Sequence, residues 1–455
     1  MPLISVNPAT EAVEAEYQYQ TDDTLDGLLT QAAESGRDWR AAGVEERAVH
    51  LTAVAAMLRE RKSQLAELMA AEMGKPRNQG EAEAEKCAWA CEHFAGHGAG
   101  FLEPDRLAAG ARKTYVDYQP LGVILAIMPW NFPLWQVFRF GVGALMAGNT
   151  AIVKHAPNVT GCALAVEALF LAAGLPPGVV RCARATNAQT AGMIADPRVR
   201  AVTFTGSCAT GRIIAAQAGE ALKKCVLELG GSDPYVVLED ADISRAARIC
   251  ADSRCVNSGQ SCIAAKRFIA VESVYAAFEE AFLAEMAGKQ LGFPAENPDL
   301  GPLARKDLRE TLDRQVRESA AKGARVLMGG QIPERPGWWY PPTALTDVTP
   351  GQPAFHEELF GPVATLFRAR DENEAAALAN ATSFGLGAAV FTQDVERGEA
   401  FARGKLDAGS CFVNASVQSD PRMPFGGIKD SGYGRELGLL GAREFTNAKT
   451  VYVAE

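Results

Sequence analysis

The sequence predicts an α/β fold, a parallel sheet followed by a second α/β domain, on three observations. Short apolar runs ("VILAIMPW", "TAIVKHA", "VVRCA", "AVTFTGS", "YVVLED") alternate with helical stretches between Val123 and Asp240. A second series ("RFIAV", "ARVLMGG", "ATLFRA", "AAVFT", "CFVNA") follows from Asp242 onward. With 455 residues the chain exceeds what one core ordinarily organises, so two or three domains are expected. Apolar strands separated by helices are buried on both faces, as in parallel sheets covered by helices.

The elements follow in order. Over 45–75 apolar residues recur at three- and four-residue steps until Gly74, Lys75 and Pro76 stop them, which predicts one long amphipathic helix. A second helix is predicted over 79–93, and "TYVDYQPLG" alternates as an exposed strand. Within the first series, helices are expected over 160–173 and 210–218, with another starting beside Asn131. Within the second they fall at 243–252, 274–286 and 306–322. The closing "TVYVAE" is a short β-like tail of the kind that docks on another element or subunit.

Composition narrows the class. The chain is 48% hydrophobic and 22% charged, a soluble globular balance, and 45 basic against 55 acidic residues give −10, which disfavours a nucleic-acid partner. "MPLISVNPAT" is no signal peptide, and no uninterrupted 18-residue apolar run suggests a membrane span, so a cytoplasmic protein is expected. The ten cysteines form no Cys-x-x-Cys pair, which argues against disulfides and a zinc ribbon. Around Cys87, Cys91 and Glu92, the spacing of His93 and His97 puts both imidazoles on one helix face, but no further ligand signature accompanies them and no metal is expected.

Four segments can carry chemistry. In "NSGQSC" Cys262 sits where a loop enters a new element, which can present its sulfur, and a helix starting there would favour the thiolate. "MPWNFP" holds Asn131 between prolines at the end of an apolar strand, either as a turn former or as an amide donor to an oxyanion. "TFTGSCATG" is a strand, Gly206-Ser207, then a helix start whose amides can face a phosphate, although it matches neither a P-loop nor G-x-G-x-x-G. "LELGGSDP" places Glu228 at the end of an apolar strand, where a core hydrogen bond or a role as general base would explain it.

Together these segments, in this order, resemble the aldehyde dehydrogenase superfamily, from "NPAT" near the start to "PFGGIKDSGYGRE" near the end. The resemblance implies Cys262 as nucleophile, Asn131 with the Cys262 backbone amide as oxyanion hole, and Glu228 as general base. It also implies a nicotinamide cofactor held by Trp130, Lys154, Gly206, Ser207, Glu358 and Phe360. The implied architecture is a Rossmann-like cofactor domain (1–101 and 121–231), an α/β catalytic domain (232–430) and a small β oligomerisation element (102–120 and 431–455), giving a homodimer or homotetramer. Many NAD-preferring relatives carry a Glu three residues after the Lys that matches Lys154. Here Pro157 stands there, so NAD is expected with NADP tolerated.

Within the superfamily the chain most resembles bacterial succinate-semialdehyde dehydrogenases, in "LAIMPWNFPLWQV", "KHAPNV" and "KKCVLELGGSDP". That likeness implies Arg139 and Ser419 as contacts for the substrate's distal carboxylate, with Phe132, Trp135 and Phe425 lining an apolar tunnel. A second arginine found in some members six residues before the nucleophile is replaced by Val256, leaving Arg254 or Arg422 to compensate. Ala264 takes the place of a second redox cysteine, so no disulfide with Cys262 is expected. The alternatives are glutarate semialdehyde or a broad aldehyde range, a CoA-acylating enzyme and an inactive structural homologue.

Overall fold

The computed structural model describes residues 2–454; Met1 and Glu455, the outer ends of the expected segments 1–101 and 431–455, lie outside the described residues. Two large sheets organise the chain. One has six strands in the spatial order Gly432–Tyr433, Lys224–Glu228, Val199–Thr205, Val123–Met128, Thr150–His155 and Val180–Cys182. Every neighbour pair is parallel except the first. The other has seven, ordered Arg325–Met328, Thr343–Thr346, Val363–Ala369, Arg267–Val271, Pro234–Val237, Gly387–Phe391 and Ser410–Val413, again with only the first pair antiparallel.

A third, antiparallel sheet joins the tail strand Thr446–Val453 to Lys113–Pro120 and Asp105–Arg106. The tail therefore docks within its own chain. Residues 432–433, counted with the expected oligomerisation element, instead extend the six-stranded sheet.

The register of the six-stranded sheet positions the site. Ile127 pairs with both Lys154 and Phe204, Met128 with His155, and Thr205 with Glu228, so four strands end together. The loops beyond them carry Asn131, Pro157, Gly206 and Ser207, and then Gly230 and Gly231. Carboxyl ends of parallel strands are where such sheets bind ligands. The chain crosses to the second sheet through 229–233, and the crossing is pinned: the Asp233 carbonyl accepts from the Lys266 and Arg267 amides, and Oδ1 from the Gly387 amide. A Cβ on Gly231 would lie 2.5 Å from the Cys262 carbonyl, so glycine is what permits the two backbones to meet.

Helix Trp135–Met146 is buried at every position, which its nearly unbroken apolar sequence allows. Two helical expectations need correction. The run over 45–75 is two helices, Val44–Glu60 and Lys62–Met73, because Arg61 (φ −101°, ψ 8°) breaks the hydrogen-bond ladder and re-aims the apolar stripe from Leu51, Val54 and Leu58 to Leu65, Met69 and Met73. The helix expected over 79–93 runs from Arg77 to Phe101. All ten cysteines are unpaired, with Cys87 and Cys91 in the core while the rings of His93 and His97 stack 4.4 Å apart.

Candidate active site

Cys262 is presented by a strained loop. After helix Ile243–Cys255 the chain turns through Asn257, Ser258 and Gly259 with φ of 51°, 57° and 75°, three successive left-handed residues of which two are not glycine. Such strain persists only where the surroundings enforce it. Asn257 Nδ2 donates to the Asn131 carbonyl at 2.7 Å, and the Ser258 hydroxyl to the Gly301 carbonyl at 3.0 Å. A Cβ at Gly259 would stand 2.3 Å from the Gly361 carbonyl group. Beyond Cys262, the Lys266 ammonium donates to the carbonyls of Ser261 (3.0 Å), Cys262 (2.9 Å) and Ala264 (2.9 Å).

No helix begins at Cys262, which corrects the expected source of thiolate stabilisation; the residue lies in a turn leading to strand Arg267–Val271. Burial pushes its thiol up to about 12, against the pull of Arg139 and Lys266 and reinforced by Glu358 and Glu228. The sulfur therefore rests protonated and needs a base when it attacks.

Asn131 is fixed against this loop. Its Nδ2 donates to the Gln260 carbonyl at 3.1 Å, leaving one amide hydrogen to give, and Oδ1 accepts from Gln136 at 3.4 Å. His155 Nε2 donates to the Pro133 carbonyl at 2.8 Å and ties the Asn131 turn to the adjacent strand. Glu83, from helix Arg77–Phe101, accepts the amides of Leu134 and Trp135 at 2.9 Å each, so a carboxylate caps the following helix from outside, where the helix dipole favours it. Its other oxygen bonds Lys75.

Glu228 is buried, and neither carboxyl oxygen has a hydrogen-bond partner among the described residues. Arg139 places Nη2 3.9 Å from Oε2. Burial holds the Glu228 carboxyl well above the usual carboxylate range, opposed by Arg139 and aided by Glu436. The structure thus offers no core hydrogen bond to account for Glu228.

A cavity of about 510 Å³ opens onto Cys262 and is lined by Phe132, Trp135, Arg139, Ser419 and Phe425, all singled out in the sequence, and by Lys86, which was not. Arg139 does not meet the expectation of a cation waiting for substrate. Its Nε is bonded to Glu436, its Nη2 donates to the Thr205 hydroxyl at 3.2 Å, and Phe425 packs on its guanidinium at 4.7 Å. Ser419 Oγ accepts from Trp135 Nε1 at 3.0 Å and Lys86 Nζ at 2.9 Å. Neither arginine suggested for the place of Val256 fills it: Arg254 is buried and donates to the Gly259 carbonyl at 2.7 Å, and Arg422 is paired with Asp420.

The residues expected around a cofactor gather at the strand ends. Trp130 and Phe360 meet edge to face, centroids 5.7 Å apart. Glu358 accepts from the Gly231 amide at 3.0 Å and lies 3.6 Å from Lys266. The Gly206 amide bonds the Glu228 carbonyl at 3.0 Å, and Ser207 caps helix Cys208–Glu220 by accepting from Thr210 at 3.3 Å. Burial alone pulls the Lys154 ammonium down, with no carboxylate offsetting it. A half-buried cation with no ion pair among the described residues and a helix N-terminus at adjoining strand ends suit the phosphates and hydroxyls of a dinucleotide. Lys266, His155, Glu83 and Lys86 escape the sequence reading; the only signal was the i, i+3 spacing of Glu83 and Lys86, which puts both on one helix face.

A family model described as "Aldehyde dehydrogenase family" matches residues 2–451. The chain is similar to a succinate semialdehyde dehydrogenase (NAD(P)+) of Escherichia coli (strain K12), at 46% identity over 99% of this chain and 97% of the relative. It is also 43% identical, over the whole of both chains, to a probable succinate-semialdehyde dehydrogenase (NADP+) of Synechocystis sp. (strain ATCC 27184 / PCC 6803 / Kazusa). Among solved structures, the succinic semialdehyde dehydrogenase of Streptococcus pyogenes in complex with NADP+ superposes with a TM-score of 0.97 at 34% identity, over 99% of this chain and 100% of that one.

Proposed function

This chain belongs to the aldehyde dehydrogenase family, and from that premise we propose that it oxidises succinate semialdehyde to succinate with NAD or NADP, through a covalent intermediate on Cys262. One observation carries the reading: Cys262 opens on a cavity with aromatic walls and the Ser419 hydroxyl, Asn131 is bonded to its loop, and the unbonded Glu228 stands beside the cavity-lining Arg139.

The residues divide the work. The Cys262 thiol gives its proton to water in the cavity, the thiolate adds to the aldehyde carbon, and the former carbonyl oxygen takes the negative charge. The second Nδ2 hydrogen of Asn131 and the Cys262 backbone amide are the donors for that oxyanion. When bound, the nicotinamide ring supplies the acceptor for hydride. Oxidation leaves a thioester on Cys262. Glu228 takes a proton from water, the hydroxide adds to the thioester carbonyl, and the C–S bond breaks to release the acid and return the sulfur as thiolate.

For the cofactor, Lys154 and the helix behind Ser207 are the candidate holders of the hydroxyls and phosphates, with Trp130, Phe360 and Glu358 flanking the nicotinamide end. Pro157 carries no carboxylate to repel a 2′-phosphate, and two of the relatives compared carry NADP+ or NAD(P)+ in their names, which supports use of both cofactors. Glu228 also weighs against a CoA-acylating reaction, since a thiol acceptor has no need of a water-activating base. The open edge of the three-stranded sheet, with Tyr452 and Val453 exposed, supports assembly into a homo-oligomer.

No helix among the described residues is long and apolar enough to cross a membrane. The test is direct. Purified protein supplied with succinate semialdehyde, without CoA, should reduce both NAD and NADP, and Cys262→Ala should abolish turnover. Normal turnover by that variant would sink the mechanism.

A further inference from the structure

We propose that Lys86 is the cation that selects the substrate, its ammonium and the Ser419 hydroxyl together taking the aldehyde's distal carboxylate. The inference deepens the proposed function and rests on it. Three cationic side chains line the cavity: Lys86, Arg139 and Lys289. Arg139 is matched by Glu436 and Lys289 by Asp252. Among the described residues, only Lys86 of the three has no carboxylate within 4.0 Å. The nearest candidate, Glu83, lies one turn earlier on the same helix, but its oxygens are committed to the Leu134 and Trp135 amides and to Lys75.

The groups that the Lys86 ammonium touches directly are neutral. It donates to Ser419 Oγ at 2.9 Å and sits 4.3 Å from the centre of the Trp135 ring. Ser419 Oγ accepts from both Lys86 and Trp135, which occupies its two lone pairs and leaves the hydroxyl proton to be donated elsewhere. A cation and an O–H donor side by side in a cavity complement a carboxylate, and a partly buried ammonium with no ion-pair partner among the described residues is costly until one arrives.

Electrostatics point the same way. Burial lowers the Lys86 ammonium to about 8; Cys87, Glu83 and Asp420 support its charge and Arg139 opposes it. Lys86 is therefore largely charged at neutral pH and loses its charge in mild alkali. This also accounts for Arg139: it faces Glu228 and Glu436, and the task expected of it falls to a residue on another helix.

The experiment compares succinate semialdehyde with butanal, in which a methyl group replaces the carboxylate, for the wild type, Lys86→Met and Lys86→Arg. The preference for succinate semialdehyde, as a ratio of kcat/KM values, should drop roughly ten- to a hundredfold in Lys86→Met, mainly through KM, as expected for a lost charged hydrogen bond. Lys86→Arg should retain most of it. In the wild type, KM for succinate semialdehyde but not for butanal should climb as pH passes about 8.

A Lys86→Met enzyme that keeps the wild-type ratio overturns the role of Lys86 while leaving the proposed substrate standing. A wild type indifferent to the carboxylate overturns both. Should Lys86→Met fail to fold, Lys86→Gln takes its place, and a ratio unchanged from the wild type refutes the proposal.

Discussion

Arg139 Nη2 stands 3.9 Å from Glu228 Oε2, too far for a hydrogen bond, while the same guanidinium is bonded to Glu436. One buried cation thus faces two buried carboxyls, both raised by burial, of which Glu436 has a hydrogen bond from Arg139 and Glu228 has none. A carboxyl whose folded pKa is raised binds its proton more tightly in the native than in the unfolded state. It therefore lowers stability progressively as pH climbs from the unfolded carboxylate range toward the raised value. Glu228→Gln should be more heat-stable than the wild type at neutral pH, by a margin that grows as pH climbs above the ordinary carboxylate range. Thermal unfolding over that climb checks it, and a constant difference would contradict the assignment.

The same substitution should separate acylation from hydrolysis. With no base to take a proton from water, Glu228→Gln should accumulate a thioester on Cys262 when given aldehyde and cofactor, seen as a mass increase on the peptide carrying that residue. In the wild type, hydrolysis should accelerate as pH rises, because the base form of Glu228 becomes populated only well above the ordinary carboxylate range.

Asn131 offers a cleaner cut, because its amide acts on the oxyanion without titrating. Asn131→Ala should lower kcat about a hundredfold, matching the roughly 3 kcal/mol that a single oxyanion donor contributes. Alkylation of Cys262 should persist in that variant, which distinguishes loss of the donor from collapse of the loop bonded to it at Gln260.

Much of this architecture was legible because its signals are local. The apolar runs at 123–128 and 267–271 are strands buried throughout, and Gly206, Gly230 and Gly231 mark strand ends in advance. Helix Asp22–Ala41 bore comparable marks, with Thr21 as cap, Asp22 and Asp23 in the first turn, and a stripe of Leu25, Leu28, Leu29 and Ala32, yet none was predicted there. What sequence conceals is partnership across the fold. Nothing near Arg139 announces Glu436, which is 297 residues away, or shows that Lys86 and Ser419, 333 residues apart, would share a hydrogen bond. Resemblance therefore points to Arg139 and Ser419, both of which line the cavity, but not to Lys86, which donates to Ser419 Oγ.

The resting state of the nucleophile is a further prediction. With its thiol pushed up to about 12 by burial, Cys262 in the free enzyme should react slowly with iodoacetamide at neutral pH, its rate rising about tenfold per pH unit into mild alkali. Stopped-flow alkylation or mass spectrometry of the labelled peptide gives the profile. A plateau near neutrality would mean that Arg139 and Lys266 outweigh burial.

Gly259 tests whether the strained loop aims the sulfur. It occupies φ +75°, where a side chain costs about 1–2 kcal/mol, and an added Cβ would fall 2.3 Å from the Gly361 carbonyl group, a backbone neighbour that cannot rotate away. Room can be made only by shifting the 257–262 loop or the segment that carries Glu358 and Phe360. Either movement displaces the sulfur relative to Asn131, and misplacement of about 1 Å is enough to cost two orders of magnitude in rate. Gly259→Ala should therefore lose about a hundredfold or more in kcat while its thermal midpoint falls only a few degrees, since both sheets are untouched. If activity and stability instead decline in proportion, the loop serves the fold rather than the aim of Cys262.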